Sequence, residues 1–187
     1  MTKIAIVYHS GYGHTEKLAS HVEKGASSVD GVETVSLKLK TGLEDFEALL
    51  DADAIIFGSP TYMGSVSAVM KQFMEKTSKL FYVRGWKDKF AAGFTLSHSL
   101  SGDKLNALMQ MNIFAMQHGM IWVGFDQLNQ SPDGEPGKSD VMNRMGAFLG
   151  LMGQTENASP EITPPSGDLA SAEHFGQRIA EVAKRFA

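Results

Sequence analysis

The 187-residue chain contains no cysteine. That absence excludes disulfides, thiolate nucleophiles and cysteine-ligated metals, so redox chemistry here requires a bound cofactor. No stretch approaches the roughly 18 consecutive apolar residues of a membrane-spanning helix. The apolar run within residues 1–8 is too short for a signal peptide and lacks its small-residue cleavage pattern, so a cytoplasmic location is expected. A clustered cationic face is also missing: 17 Lys and Arg against 21 Asp and Glu give a net charge of −4, which argues against nucleic acid as a partner. Histidines are present, but without carboxylates at ligand spacing, so no metal site is expected. There is neither an internal repeat nor a separating linker, and residues 1–187 are read as one domain.

What is present is an alternation of two patterns. Ile4 to Tyr8 and Ala54 to Phe57 are continuous apolar runs, which suit strands buried on both faces, and Phe90 to Leu96 reads as a fourth strand. Val32 to Leu39 alternates apolar and polar residues and reads as an edge strand, and Met120 to Val123 opens a fifth strand. Residues 145–152 either resume that strand or form a short helix. Helical spacing occupies Thr15 to Ser28, Ser65 to Leu80, Asp103 to His118 and Leu169 to Phe186, with a shorter helix expected over Leu43 to Leu50. A Gly58-Ser59-Pro60 turn is expected after the third strand, and Asn129 to Ser139 is rich in turn formers. Strands alternating with helices imply a parallel, doubly wound α/β sheet of five strands, in which ligands bind beyond the carboxyl ends of the strands.

The loop after the first strand, "HSGYGHT" (residues 9–15), ends at Gly13-His14-Thr15. A P-loop would need lysine there. A dinucleotide fingerprint would need a third glycine, where Glu16 stands, and an acid after the second strand, where Lys38-Leu39-Lys40 stands. The residues leave two readings open: a phosphate cradle of neutral donors at a helix N-terminus, with Ser10 and Thr15 adding hydroxyls, or a plain capped turn.

Tyr8 to Thr15 ("YHSGYGHT"), Asp53 to Gly64 ("DAIIFGSPTYMG"), the helix that follows, and Gln117-His118-Gly119-Met120 together resemble the flavodoxin-like FMN proteins, with closest likeness to the WrbA-type NAD(P)H:quinone oxidoreductases. The resemblance implies strand order 2-1-3-4-5, FMN as cofactor and NAD(P)H as co-substrate. It implies a quinone or similar small acceptor, and a homodimer or homotetramer. A flavodoxin-type electron carrier is the alternative. By the same resemblance Ser10, Gly11, Tyr12, Gly13, His14 and Thr15 hold the phosphate, and Pro60, Thr61, Tyr62, Met63 and Gly64 border the ring. Leu96, Ser97, His98 and Ser99 wrap its other side, His118 neighbours the flavin, and Tyr12 and Phe81 face nicotinamide or substrate. No side chain is required as acid or nucleophile, because the flavin carries the chemistry. Arg84 and Trp86 are expected at the ring edge or at a subunit contact, and the lysine pairs Lys38/Lys40 and Lys87/Lys89 in solvent.

Overall fold

Strand β1 (Thr2–Tyr8) is buried from Ile4 onward, as a run of five apolar residues without alternation requires. A computed structural model describes residues 1–40 and 46–186. The chain continues through α1 (His14–Ser27), β2 (Val32–Lys38), α2 (Glu47–Leu50), β3 (Ala54–Tyr62), β4 (Ser65–Val66), α3 (Ala68–Lys76) and α4 (Ser78–Tyr82). It ends with β5 (Phe90–Ser97), α5 (Lys104–Gln117), β6 (Ile121–Trp122), β7 (Leu151–Gln154) and α6 (Ser166–Phe186). The main sheet is parallel in the order β2-β1-β3-β5, and β6 and β7 share the fifth position: Phe90 pairs with Ile121, and Phe94 with Leu151. Residues 145–152 thus resume the fifth strand only at their end, and the strand order is the expected doubly wound one.

Helices cover both faces of the sheet. On one, α1 and α6 pack over Ile4, Ile6, Ile56 and Phe94; on the other, α3 and α5 pack over Val7, Ile55 and Phe57. Glycine permits the closest helix contact. A Cβ on Gly25 would collide with the Glu173 carbonyl, and one on Gly176 with that of Val22, so α1 and α6 meet backbone to backbone.

Several expectations are corrected. No turn forms at Gly58-Ser59-Pro60: β3 runs on to Tyr62, paired with β5 as far as Pro60–Leu96. Pro60 is tolerated because β1 pairs only as far as Gly58, leaving one side of the strand without a ladder to interrupt. The helix drawn over Ser65 to Leu80 begins instead as β4, which turns back on β3 through Met63 and Gly64. Ser67 then caps α3, accepting from the Met70 N–H at 3.2 Å. The helix stops at Thr77, whose hydroxyl donates back to the Met74 carbonyl at 2.7 Å, and restarts as α4. Of the helix expected over Leu43 to Leu50, residues 43–45 lie outside the described residues.

Trp86 is fully buried against Phe57, Phe73 and Phe114, so it is neither a ring-edge cover nor a surface contact. Arg84 donates to the Gln117 carbonyl at 2.9 Å. Two lysines expected in solvent are engaged. Lys38 pairs with Glu16 at 2.7 Å, and Lys89 donates to the Leu50 and Ala52 carbonyls, with burial pulling its pKa below the ordinary lysine value.

Candidate flavin site

The loops leaving β1, β3, β5 and β7 surround a crevice of about 680 Å³, a volume usual for small-molecule sites. Its lining holds Tyr12, His14 and Thr15 from the first loop, Pro60, Thr61 and Tyr62 from the end of β3, and Leu96, Ser97 and His98 from the end of β5. It also holds residues 155–160, after β7.

The first loop is shaped by one hydroxyl. Ser10 Oγ accepts from the backbone N–H of Gly13 at 3.1 Å and of Glu16 at 3.2 Å, folding the turn onto the start of α1. Gly13 stands at the helix N-cap with φ 91° and ψ −21°, a backbone conformation that side chains oppose. Among the described hydrogen bonds, the N–H groups of Gly11, Tyr12, His14 and Thr15 have no acceptor in the chain. These are the orphan donors of a 14-residue helix and the turn before it, and Tyr12, His14 and Thr15 among them line a crevice with no lysine or arginine among its described lining residues. Neutral donors with the positive end of the helix dipole fit a phosphate ester. The His14 side chain ties the first loop to the segment after β7, its Nε2–H donating to the Ala158 carbonyl at 2.8 Å.

The second wall is a tight hairpin. Tyr62 pairs with Ser65 across the two-residue turn Met63-Gly64, and both turn residues have positive φ, 49° and 73°. That is the signature of a type I′ turn, in which methionine is a strained choice. Met63 is fully exposed at its tip. From α5, Asn106 donates to the Gly64 carbonyl at 2.6 Å and Ser65 donates to Gln110 at 3.0 Å, so the helix braces the hairpin. Tyr12 and Tyr62 meet edge to face at 6.5 Å, and burial followed by the neighbouring Tyr12 raises the Tyr62 phenol above its ordinary pKa.

The third and fourth walls are joined. Thr155 N–H donates to the Ser97 carbonyl at 3.0 Å, His98 Nδ1–H to the Thr155 carbonyl at 3.1 Å, and Gln154 Nε2 to the His98 carbonyl at 3.0 Å. Behind them Asp168 accepts from Arg144 Nε at 2.7 Å and Nη2 at 3.0 Å, and from the Gln154 N–H at 2.8 Å, with both side chains buried.

Of the residues singled out in the sequence, nine line this crevice, and Ser10, Gly11, Gly13, Met63, Gly64 and Ser99 lie within two residues of them in the chain. His118 and Phe81 are not brought to it. Both line a second cavity of about 550 Å³ between α3, α4 and α5. There His118 Nε2–H donates to Thr77 Oγ1 at 2.9 Å, and its ring lies 4.5 Å from Trp86. Burial first, and Arg84 second, push its pKa down to about 4, so the ring is neutral at pH 7. Among the described residues its Nδ1 is buried without a partner. Residues 155–160 lie beyond what sequence patterns single out. The cue is the strand-end rule itself, which points to the exit of the fifth strand once that strand ends at Gln154.

The chain matches the model of the NADPH-dependent FMN reductase family over residues 2–131. It is similar over its whole length to the solved WrbA-like flavodoxin of Agrobacterium tumefaciens: 34% identity, TM-score 0.76, and 100% of both chains covered. It is 36% identical to flavodoxin FldP of Pseudomonas aeruginosa, over 99% of this chain and 98% of that one. It is 34% identical to an NAD(P)H dehydrogenase (quinone) of Archaeoglobus fulgidus, over 99% of both. Fold and crevice thus define a flavodoxin-like FMN protein of the WrbA type. The chain belongs to the NADPH-dependent FMN reductase family, and it is an FMN-dependent oxidoreductase that takes electrons from NAD(P)H.

Proposed function

We propose that this oxidoreductase passes electrons from NAD(P)H to a quinone or similar small electrophile. The observation that carries the reading is the set of unspent backbone N–H groups at the start of α1, opening on an apolar crevice without a cation. FMN, when bound, supplies the hydride chemistry itself. The chain's residues do the rest. The Ser10 to Thr15 turn binds the phosphate, with Thr15 and the backbone donating to it. The Tyr62 to Gly64 hairpin and the Leu96 to Ser99 segment border the ring, and the Thr155 to Pro160 segment closes the phosphate side against water. A crevice open on one side gives donor and acceptor the same place, so the two exchange in turn with ping-pong kinetics. The names of the Archaeoglobus relative and of two further relatives at 28% identity support the quinone as acceptor.

The same proposal holds that residues 1–187 act as one FMN-binding domain in the cytoplasm and assemble as a homodimer or homotetramer. Support for assembly is the apolar stripe Leu105, Met109, Ile113 and Met116, about half exposed along α5, with Phe81 lining the same cavity as Ile113. Light scattering on the eluted protein measures it.

A second reading, a carrier serving protein partners, has the name of the Pseudomonas relative in its favour. Such carriers dock through strongly acidic surfaces, and a net charge of −4 is modest for that. FMN-loaded protein is titrated anaerobically with NADH and NADPH, then given benzoquinone. Steady NAD(P)H consumption without a second reductase supports the enzyme; bound FMN that NAD(P)H does not reduce supports the carrier.

A further inference from the structure

Lys104, the first residue of α5, is 1% exposed, and lysine is almost never buried without a purpose for its charge. Its ammonium donates to Ser97 Oγ at 3.0 Å, to the Ser99 carbonyl at 2.9 Å and to the Leu100 carbonyl at 2.7 Å. All three of its donors are spent on one short segment. Ser97 Oγ in turn donates to the same Ser99 carbonyl at 2.9 Å, and a Cβ on Gly102 would collide with that hydroxyl. The loop is thus wound around the ammonium, with Gly102 and Asp103 both left-handed (φ 56° and 55°) to return the chain to the helix.

The carbonyls of Ser99 and Leu100 are committed inward to the lysine, while the N–H groups of residues 98–103 have no acceptor among the described hydrogen bonds. Ser97 and His98 of this segment line the crevice, and Leu100, Ser101 and Asp103 line a separate cavity, so the crevice-side donors are those at the start of the loop. A flavin ring has polar edges that need donors, and a loop held by its carbonyls keeps its donors available.

We propose that Lys104 is a positioning residue for FMN: from behind the crevice wall, its buried ammonium holds the 97–103 loop in the form that leaves the loop's N–H groups for the flavin ring. The role rests on the FMN reading above. It requires the charge, since a neutral amine keeps only two donors for three acceptors. Burial pulls the lysine pKa down to about 8; Asp168 on α6 opposes that shift and Arg144, in the segment before β7, adds to it. These two, with exposed Asp103 beside it in sequence, are the charged groups around it. Loosening of the loop is therefore expected within an accessible pH range. The Tyr62 phenol, raised above its ordinary value, titrates above that range.

The test is FMN binding to apoprotein, followed by quenching of flavin fluorescence between pH 7 and 9, for wild type, Lys104→Gln and Lys104→Arg. Wild type is expected to lose affinity through pH 8, by up to about tenfold between pH 7 and 9. K104Q is expected to bind at least tenfold more weakly at pH 7 and to show no such step, and K104R to recover part of the affinity without the step. A wild-type profile flat from pH 7 to 9 overturns the proposal whether or not the variants fold. So does K104Q binding within twofold of wild type with the same pH profile. Wild type that binds no FMN at pH 7 brings down the underlying reading and this proposal with it, whereas the two preceding results leave that reading standing.

Discussion

Replacing Gly13 with alanine tests the first wall of the crevice and separates two costs that a single melting curve would merge. At φ 91° and ψ −21° an L-residue is strained by about 1–3 kcal/mol. A Cβ there would also meet Pro160 Cγ at 2.6 Å, so the segment after β7 has to give as well. If the turn keeps its shape in the apoprotein, the whole cost appears as lost apo stability and FMN affinity is unchanged. If the turn relaxes before FMN arrives, apo stability is spared and binding has to restore the strained form. A penalty of about 1–3 kcal/mol then weakens Kd by about 5- to 150-fold. The loop is exposed at Gly11 and Tyr12, so the second partition is expected: Kd at least fivefold weaker, with the apo midpoint in urea shifted by less than about 1 kcal/mol. Gly11→Ala is the control. Its φ is not left-handed, and its Cβ would meet only the Tyr62 hydroxyl, the far end of a side chain. The two costs of G13A must sum to the stability lost by the FMN-loaded protein. A G13A protein unchanged in both quantities, or a G11A protein that binds FMN as weakly, refutes this reasoning.

Four further outcomes are expected. Gly176→Ala forces α6 off the Val22 carbonyl of α1 and is expected to cost about 3 kcal/mol in urea unfolding, at the upper end of overpacking penalties. Asp168→Asn breaks a buried pair and is expected to cost about 3–5 kcal/mol, while an Arg144→Met/Asp168→Leu double variant loses less than D168N alone, as urea unfolding of the two variants checks. Met63→Asn places a residue suited to positive φ in the hairpin turn and is expected to gain about 1 kcal/mol in thermal stability. His118 titrates at about 4 when folded and near 6.5 when unfolded, so the unfolded chain binds the proton first as pH falls. Its contribution is unchanged above about pH 6.5 and declines from there to about pH 4, by up to roughly 3 kcal/mol. In His118→Gln the stability measured from pH 7 to 4.5 falls less steeply.

The buried strands and the donor-rich first loop are legible in the sequence because each rests on local chemistry, whereas the strand order and the second and third walls come only with the family resemblance. Ile4 to Tyr8 and Ala54 to Phe57 admit no amphipathic reading, and the Ser10 to Thr15 turn has too many donors and no cation. What stays illegible depends on distant pairing. Gly58-Ser59-Pro60 carries a turn composition, yet β5 holds it extended, because tertiary pairing outweighs local preference in a central strand. The fourth wall escapes a sequence reading because the fifth strand is split across nearly thirty residues between Trp122 and Leu151, and no local period joins its halves. Nothing in the sequence sets Lys104 apart from the other lysines, and Trp86 reads as a ring-edge cover or subunit contact. Their burial is set by what the 97–103 loop and the aromatic cluster around Phe57 place over them. His118 shows the reverse: its motif stands out in the sequence, but within one chain it faces the cavity beside Phe81 and not the crevice beside Tyr12.

The central claim is that neutral donors at the start of α1 hold the cofactor by its phosphate. Paired titrations of the apoprotein with FMN and with riboflavin, which lacks only that group, address it directly. With charge-assisted hydrogen bonds worth about 1.5–3 kcal/mol each, riboflavin is expected to bind at least about 100-fold more weakly than FMN. Equal affinity for the two would place the phosphate outside the turn and contradict the account.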